Sequence, residues 1–213
     1  MRLPFPEDRP SGRPAPGRRV AVLVAVLAAL ATPAALAATG QGAPTGRTEG
    51  PYPLACHYVR RELDRFEACA RREGGMVRVA PAHVARMTFD RGLAELRVPT
   101  IGCLWVRRDG LALPVFTLDN GPDPFEQGLV RSWRDGKVAF YDRRLRLVLA
   151  TPYDWAFPFD ASGESLVCEG CRPDGREPAS MVGGRWGIID RTGRLILPLA
   201  EGGAAADRFF GRR

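Results

Sequence analysis

The sequence predicts a mainly β protein: about three stacked antiparallel β-hairpin repeats, solenoid-like or arranged as a partial-propeller sheet, with one N-terminal α-helix. Two observations predict this. A segment of the form Phe-x-x-Gly-Leu, followed by a hairpin and a proline, recurs from Phe89, from Phe125 and, with its glycine displaced to Gly163, from Phe159. From Met76 onward, short runs of Val, Leu, Ile, Phe and Trp alternate with Gly, Asp and Pro, the punctuation of strands and tight turns. Units this small cannot bury their own apolar faces, so neighbours must stack to make a core.

Taken in chain order, Arg13, Arg18 and Arg19 precede the apolar run Val20–Leu30, Thr32-Pro33 breaks it, and Ala35-Leu36-Ala37 offers small residues around a cleavable bond. That order predicts a signal peptide over residues 1–37, cleaved near Ala37, and a periplasmic or secreted product. The alternative is an uncleaved inner-membrane anchor over residues 20–38, although the unbroken run falls short of the roughly 20 residues of a comfortable span. Residues 38–55, rich in Gly, Pro and Thr, read as a flexible linker. Within residues 56–75, Val59, Leu63, Phe66 and Ala70 recur at helical spacing and Gly74-Gly75 supplies a stop, which predicts the helix. The repeat domain follows over residues 76–200, and residues 201–213 read as a disordered tail.

The formal charge of +7 falls to +4 once residues 1–37 are set aside, leaving 26 basic against 22 acidic residues. The arginines are scattered and Lys137 is the single lysine. A nucleic-acid interface needs basic residues clustered on one face with interleaved aromatics, so that class is excluded.

The repeats register closely. Phe89 and Phe125 lie 36 residues apart, and Phe159 follows 34 later. Trp105, Phe140 and Ile188 enter corresponding hairpins, whose return strands begin at Leu111, Leu147 and Leu195 and meet Pro114, Pro152 and Pro198. Asp-Gly at Asp109-Gly110 and Asp135-Gly136 predicts type I′ turns, and Arg191-Thr192-Gly193 a three-residue form. The third unit takes 29 residues from its Phe to its hairpin position against 15 or 16 in the others, an insertion at about 169–180. Trp186-Gly187, Asp190, Gly193 and Pro198, echoed by Phe140, Asp142 and Pro152 and more faintly by Trp105 and Gly110, resemble the signature of WG repeat proteins. The resemblance implies a β-rich, non-catalytic module of a kind frequent in exported bacterial proteins, and it covers residues 89–199.

Chemistry is sparse. In an oxidising compartment the cysteines are first of all disulfide candidates: Cys56 with Cys69 about one predicted element, Cys168 with Cys171 in a C-x-x-C, and Cys103 left over. The pairing itself stays open, as do a redox role and a metal role for the C-x-x-C. Zinc would need two further ligands, and His57 and His83 lie far off in sequence. Asp119-Asn120-Gly121-Pro122-Asp123 spaces its oxygens like half a calcium loop, yet lacks the closing acid. No nucleophile motif appears, so the expectation is no catalytic residue, no cofactor and no metal. Trp133 and Trp155 fall nearest predicted turns and are the expected ligand-facing aromatics. The function expected is an exported binding module for a protein, peptide or glycan partner in the cell envelope or outside the cell. The alternatives are an envelope redox or metal protein and a structural accessory subunit.

Overall fold

In the computed structural model, residues 50–59, 62–118, 121–176 and 180–211 are described. The signal-peptide, anchor and most of the linker expectations lie outside them. The first three strands, β1 (Leu54–Val59), β2 (Leu63–Glu73) and β3 (Met76–Val79), form an antiparallel meander. One helical turn, α1 (Pro81–Val84), leads to a second meander of β4 (Leu93–Val98), β5 (Gly102–Arg107) and β6 (Leu111–Pro114). The two close on each other as a six-stranded barrel of order β1-β2-β3-β6-β5-β4. Closure gives each of these strands a neighbour on both sides, with His57 opposite Arg97 at the β1–β4 seam. Its interior is filled by Cys56, Tyr58, Cys69, Val77, Val79, Leu96, Val98, Leu104 and Val106.

The helix expected over residues 56–75 is therefore a β-hairpin. Val59 and Leu63, read as part of a helical stripe, are 59% and 63% exposed at the hairpin end. The residues that do turn inward, Cys56 and Tyr58, obey the period of two that a pleated strand imposes. Gly74-Gly75 is no helix stop: it is the turn between Glu73 and Met76, which pair directly across it. The closed barrel likewise replaces the open solenoid expected for this part of the chain.

After β7 (Thr117–Leu118) and β8 (Gly121–Pro122) comes a third meander, β9 (Leu129–Arg134), β10 (Lys137–Asp142) and β11 (Leu147–Ala150). The last sheet, of order β12-β13-β16-β17, joins β12 (Trp155–Ala156), β13 (Glu164–Glu169), β16 (Arg185–Asp190) and β17 (Leu195–Ala200). A small hairpin, β14 (Arg172–Pro173) with β15 (Met181–Val182), interrupts it. Helix α2 (Ala204–Phe210) ends the fold.

The three recurring segments occupy β4–β6, β9–β11 and β13/β16/β17, and their first and last turns correspond while the turn between differs in each. In the first, Asp90 and Leu93 exchange both backbone hydrogen bonds around Arg91 and Gly92, whose φ angles are 46° and 87°. In the second, Glu126 and Leu129 do the same around Gln127 and Gly128 at 51° and 79°. The third takes one extra residue, with the Asp160 N–H donating to the Glu164 carbonyl. At the last turn the N–H groups of Gly110, Leu145 and Gly193 donate to the carbonyls of Arg107, Asp142 and Asp190. Gly110 alone of the Asp109-Gly110 pair has positive φ, so this turn has the three-residue form of Gly193. Asp135-Gly136, at 51° and 76°, has the two positive angles expected of type I′.

Leu93, Leu113, Val115, Val130 and Leu145 pack the third meander, β9–β11, against the barrel. Phe116, Phe140, Trp155, Phe159, Val167 and Ile189 pack it against the last sheet. That last sheet is apolar on both faces, because Leu166 and Ile188 point the other way, onto Ala205 and Phe209 of α2. The tail expected to be disordered over residues 201–213 thus carries a docked helix through Phe210. Its Phe209 is fully buried, which a tail with no apolar anchor would not allow.

Candidate ligand-binding cleft

The insertion in the third unit and helix α2 stand at one end of the last sheet, and a cleft of about 660 Å³ lies between them. Its floor is β12 and the start of the following loop, where Trp155 and Phe157 sit, with Leu166 from β13. One wall is the returning arm of the insertion, Ser180 to Gly183, and Trp186 at the head of β16. The opposite wall is Gly202, Gly203, Ala206 and Phe210. Its volume falls in the range of small-molecule sites, and its lining is dominated by aromatic and aliphatic groups.

Each wall has a local cause. The insertion is held at its base by Cys168 and Cys171, which lie at disulfide distance with their Cα atoms 6.0 Å apart. Asp154 braces the same turn: its carboxylate accepts from the Gly170 N–H at 2.7 Å and from Lys137 Nζ at 2.6 Å. Burial pushes the Asp154 pKa up, but the Gly170 amide and Lys137 outweigh it, so the group sits below the ordinary carboxylate value. Further out, Asp174 accepts from the N–H groups of Arg176 and Ser180 at 3.0 and 3.1 Å and ties the arms of the hairpin together. An ion pair between Arg185 and Glu169 closes its exposed side. Trp186 is fixed by its indole N–H, which donates to the Gly183 carbonyl at 2.8 Å.

The polar element of the cleft is Arg131 on β9. Its side chain is 3% exposed and paired with Asp123, itself 1% exposed. Nε and Nη2 donate to the two Asp123 oxygens at 3.0 and 2.6 Å, and Nη1 donates to the Ala156 carbonyl at 2.9 Å. The guanidinium lies 4.9 Å from the Phe116 ring centroid and 5.7 Å from that of Trp155. Of its five N–H groups, three are used in these bonds. Trp155 adds an indole Nε1 that is buried without a hydrogen-bond partner among the described residues. Asp123, read in the sequence as part of a half calcium loop, is thus committed to an arginine. Asp119 and Asn120 lie outside the described residues.

Of the two aromatics expected to face a ligand, Trp155 lines the cleft and Trp133 does not. Trp155 is 3% exposed, and both rings pack on Phe116, Trp133 stacked at 4.5 Å and Trp155 edge-on at 5.0 Å. Apolar neighbours bury Trp155, which forms part of the cleft floor, while Trp133 stays half-buried. Phe157, Met181 and Phe210, which sequence reasoning passed over, line the cleft as well. An adjacent aromatic pair, Phe209-Phe210, after Ala204-Ala205-Ala206 was the signal available for α2.

The repeat residues divide by role. Asp142 and Asp190 close corresponding turns: Asp142 accepts from the N–H groups of Arg144 and Arg146, Asp190 from those of Thr192 and Arg194. A Cβ at Gly187 would lie 2.8 Å from the Leu197 carbonyl oxygen, so only glycine lets β17 approach there. Phe140 is core, Trp105 is half-buried, and Pro152 and Pro198 are exposed, Pro198 inside β17. Cys56 and Cys69 lie at disulfide distance across β1 and β2, their Cα atoms 5.8 Å apart, while Cys103 is free and buried. Two such pairs fit a periplasmic or extracellular location. No helix among the described residues is long and apolar enough to cross a membrane, and among them no three His, Cys, Asp or Glu side chains gather as a metal set.

No family model, no curated protein and no solved structure matches the chain.

Proposed function

We propose that this protein is an exported, non-enzymatic binding module whose ligand is a small amphiphile, held with its apolar body in the cleft between the inserted hairpin and α2. The carrying observation is the enclosure of Trp155, Phe157, Trp186 and Phe210 around one cavity of about 660 Å³. The spare N–H groups of Arg131 favour a ligand with a hydrogen-bond acceptor. Asp123 already neutralises the guanidinium, so a neutral carbonyl or hydroxyl oxygen suits it better than a second carboxylate. The Asp-capped turn shared by the second and third units, at Asp142 and Asp190, supports reading the scaffold as a repeat of the WG kind. The cysteine pairs support export.

Titration with N-phenyl-1-naphthylamine, a neutral apolar fluorophore, tests the reading. The expected result is a single saturable site in the wild-type protein, weakened about tenfold by Phe210→Ser or Met181→Ser, in line with the loss of one well-buried apolar contact. Phe210 is 44% exposed on the cleft rim, and Met181, in the inserted hairpin, is partly buried against the core cluster. Binding that is absent, or unchanged in both variants, would remove the cleft as the ligand site.

A further inference from the structure

A second cleft, of about 530 Å³, lies where the barrel meets the second repeat, and its chemistry differs from that of the first. Glu95 on β4 and Trp105 on β5 are direct cross-strand partners there. The indole of Trp105 is fixed by donating its N–H to the Asp123 carbonyl at 2.8 Å. Phe125, which opens the turn of the second repeat, brings its ring to 5.8 Å from that of Trp105. Arg143 lies 4.8 Å from the Phe125 centroid. Asp90 and Arg91, from the turn of the first repeat, complete the rim.

Four charged groups surround this aromatic platform, two carboxylates and two guanidiniums, so the cleft is neutral in sum. Glu95 and Arg143 make no ion pair or side-chain hydrogen bond with any described residue, and both are exposed. A cationic ligand would meet Arg91 and Arg143, and an anionic one would meet Asp90 and Glu95. A neutral polyhydroxylated ligand uses both signs: its hydroxyls donate to carboxylates and accept from guanidiniums in charge-assisted bonds. A pyranose also presents a flat C–H face, weakly positive, to the negative face of an aromatic ring. We infer that this cleft binds a neutral saccharide, with Trp105 and Phe125 as the stacking platform and Glu95 and Arg143 reading its hydroxyl groups.

Isothermal titration of the full-length protein with chitotetraose and cellotetraose tests this. Tetragalacturonate and choline serve as the anionic and cationic counterparts, and N-acetylglucosamine and glucose separate recognition of a free sugar from that of a chain. At least one neutral tetrasaccharide is expected to bind, at least tenfold more tightly than either charged probe. Glu95→Gln and Arg143→Gln are each expected to weaken it about tenfold. Both side chains are exposed, so the fold survives, and fluorophore binding at the apolar cleft should stay within twofold of wild type. No heat with either neutral tetrasaccharide would overturn the inference, as would tighter binding of a charged probe. So would neutral-sugar affinity unchanged in both variants.

Discussion

At the residue scale, the repeated turn shows how one geometry accepts different side chains. Gly110, Leu145 and Gly193 occupy the same position with φ of 81°, 59° and 87°. Leucine in the left-handed region costs about 1–2 kcal/mol. Leu145 repays that by burying its side chain, 3% exposed, against Leu93 and Val130. Leu145→Gly should therefore destabilise the protein by about 2 kcal/mol, since a lost buried leucine outweighs the relieved backbone; urea denaturation would read it. The capping aspartates carry the acid sensitivity. The Thr192 hydroxyl, working against partial burial and helped by the Thr192 and Arg194 amides and the Arg194 guanidinium, lowers the Asp190 pKa from 3.8 to about 2. A carboxylate depressed in the folded state contributes stability above its unfolded pKa, and that stability disappears as pH falls toward the folded value. Asp190→Asn should flatten the dependence of Tm on pH between about 4 and 2, as seen by calorimetry across that window. At Asp123 the issue is burial: Asp123→Ala would leave Arg131 charged and unpaired, at a cost of about 3–5 kcal/mol in the same denaturation assay.

At the scale of elements, the hairpin of β1 and β2 shows how a strand pair can carry a helical period. Val59, Leu63, Phe66 and Ala70 satisfy a helical period, yet Cys56 and Tyr58 satisfy a period of two, and a short apolar run supports both readings. Which one forms depends on the partners available, here β4 on one side and β3 on the other. Replacing Cys56 and Cys69 together by serine should lower stability by about 2–4 kcal/mol, the usual contribution of a bridge across a loop of this size. In α2, neighbouring phenylalanines have opposite duties. Phe209→Ala should cost about 3–5 kcal/mol by emptying a site under Leu166 and Ile188. Phe210→Ser should leave the denaturation midpoint almost unmoved and act on ligand affinity.

For the whole molecule, a stack of repeats has two ends, and each end exposes an apolar face unless something covers it. Strands β1–β3 close the first repeat into a barrel, and α2 covers the outer face of the last. These two caps account for the departure from an open array. The insertion of the third repeat then gains its partner wall from the second cap, which is how a repeat scaffold acquires an enclosed cleft. Removing residues 203–213 should consequently both expose the Ile188 face and abolish fluorophore binding, with aggregation and titration as paired readouts.

Local information settled much of this protein. Periodic Gly and Asp placement identified antiparallel hairpins and the Asp135-Gly136 turn, because positive φ angles are properties of a few adjacent residues, although Asp109-Gly110 forms a different turn. The neighbourhood of Cys168 and Cys171 was also legible from its spacing. Tertiary structure alone decided that residues 56–75 form strands, that Trp155 is buried while Phe210 is exposed, and that Arg131 meets Asp123. Those outcomes depend on which apolar faces find each other across distant stretches of chain, and burial of that kind is non-directional, leaving no local pattern to read.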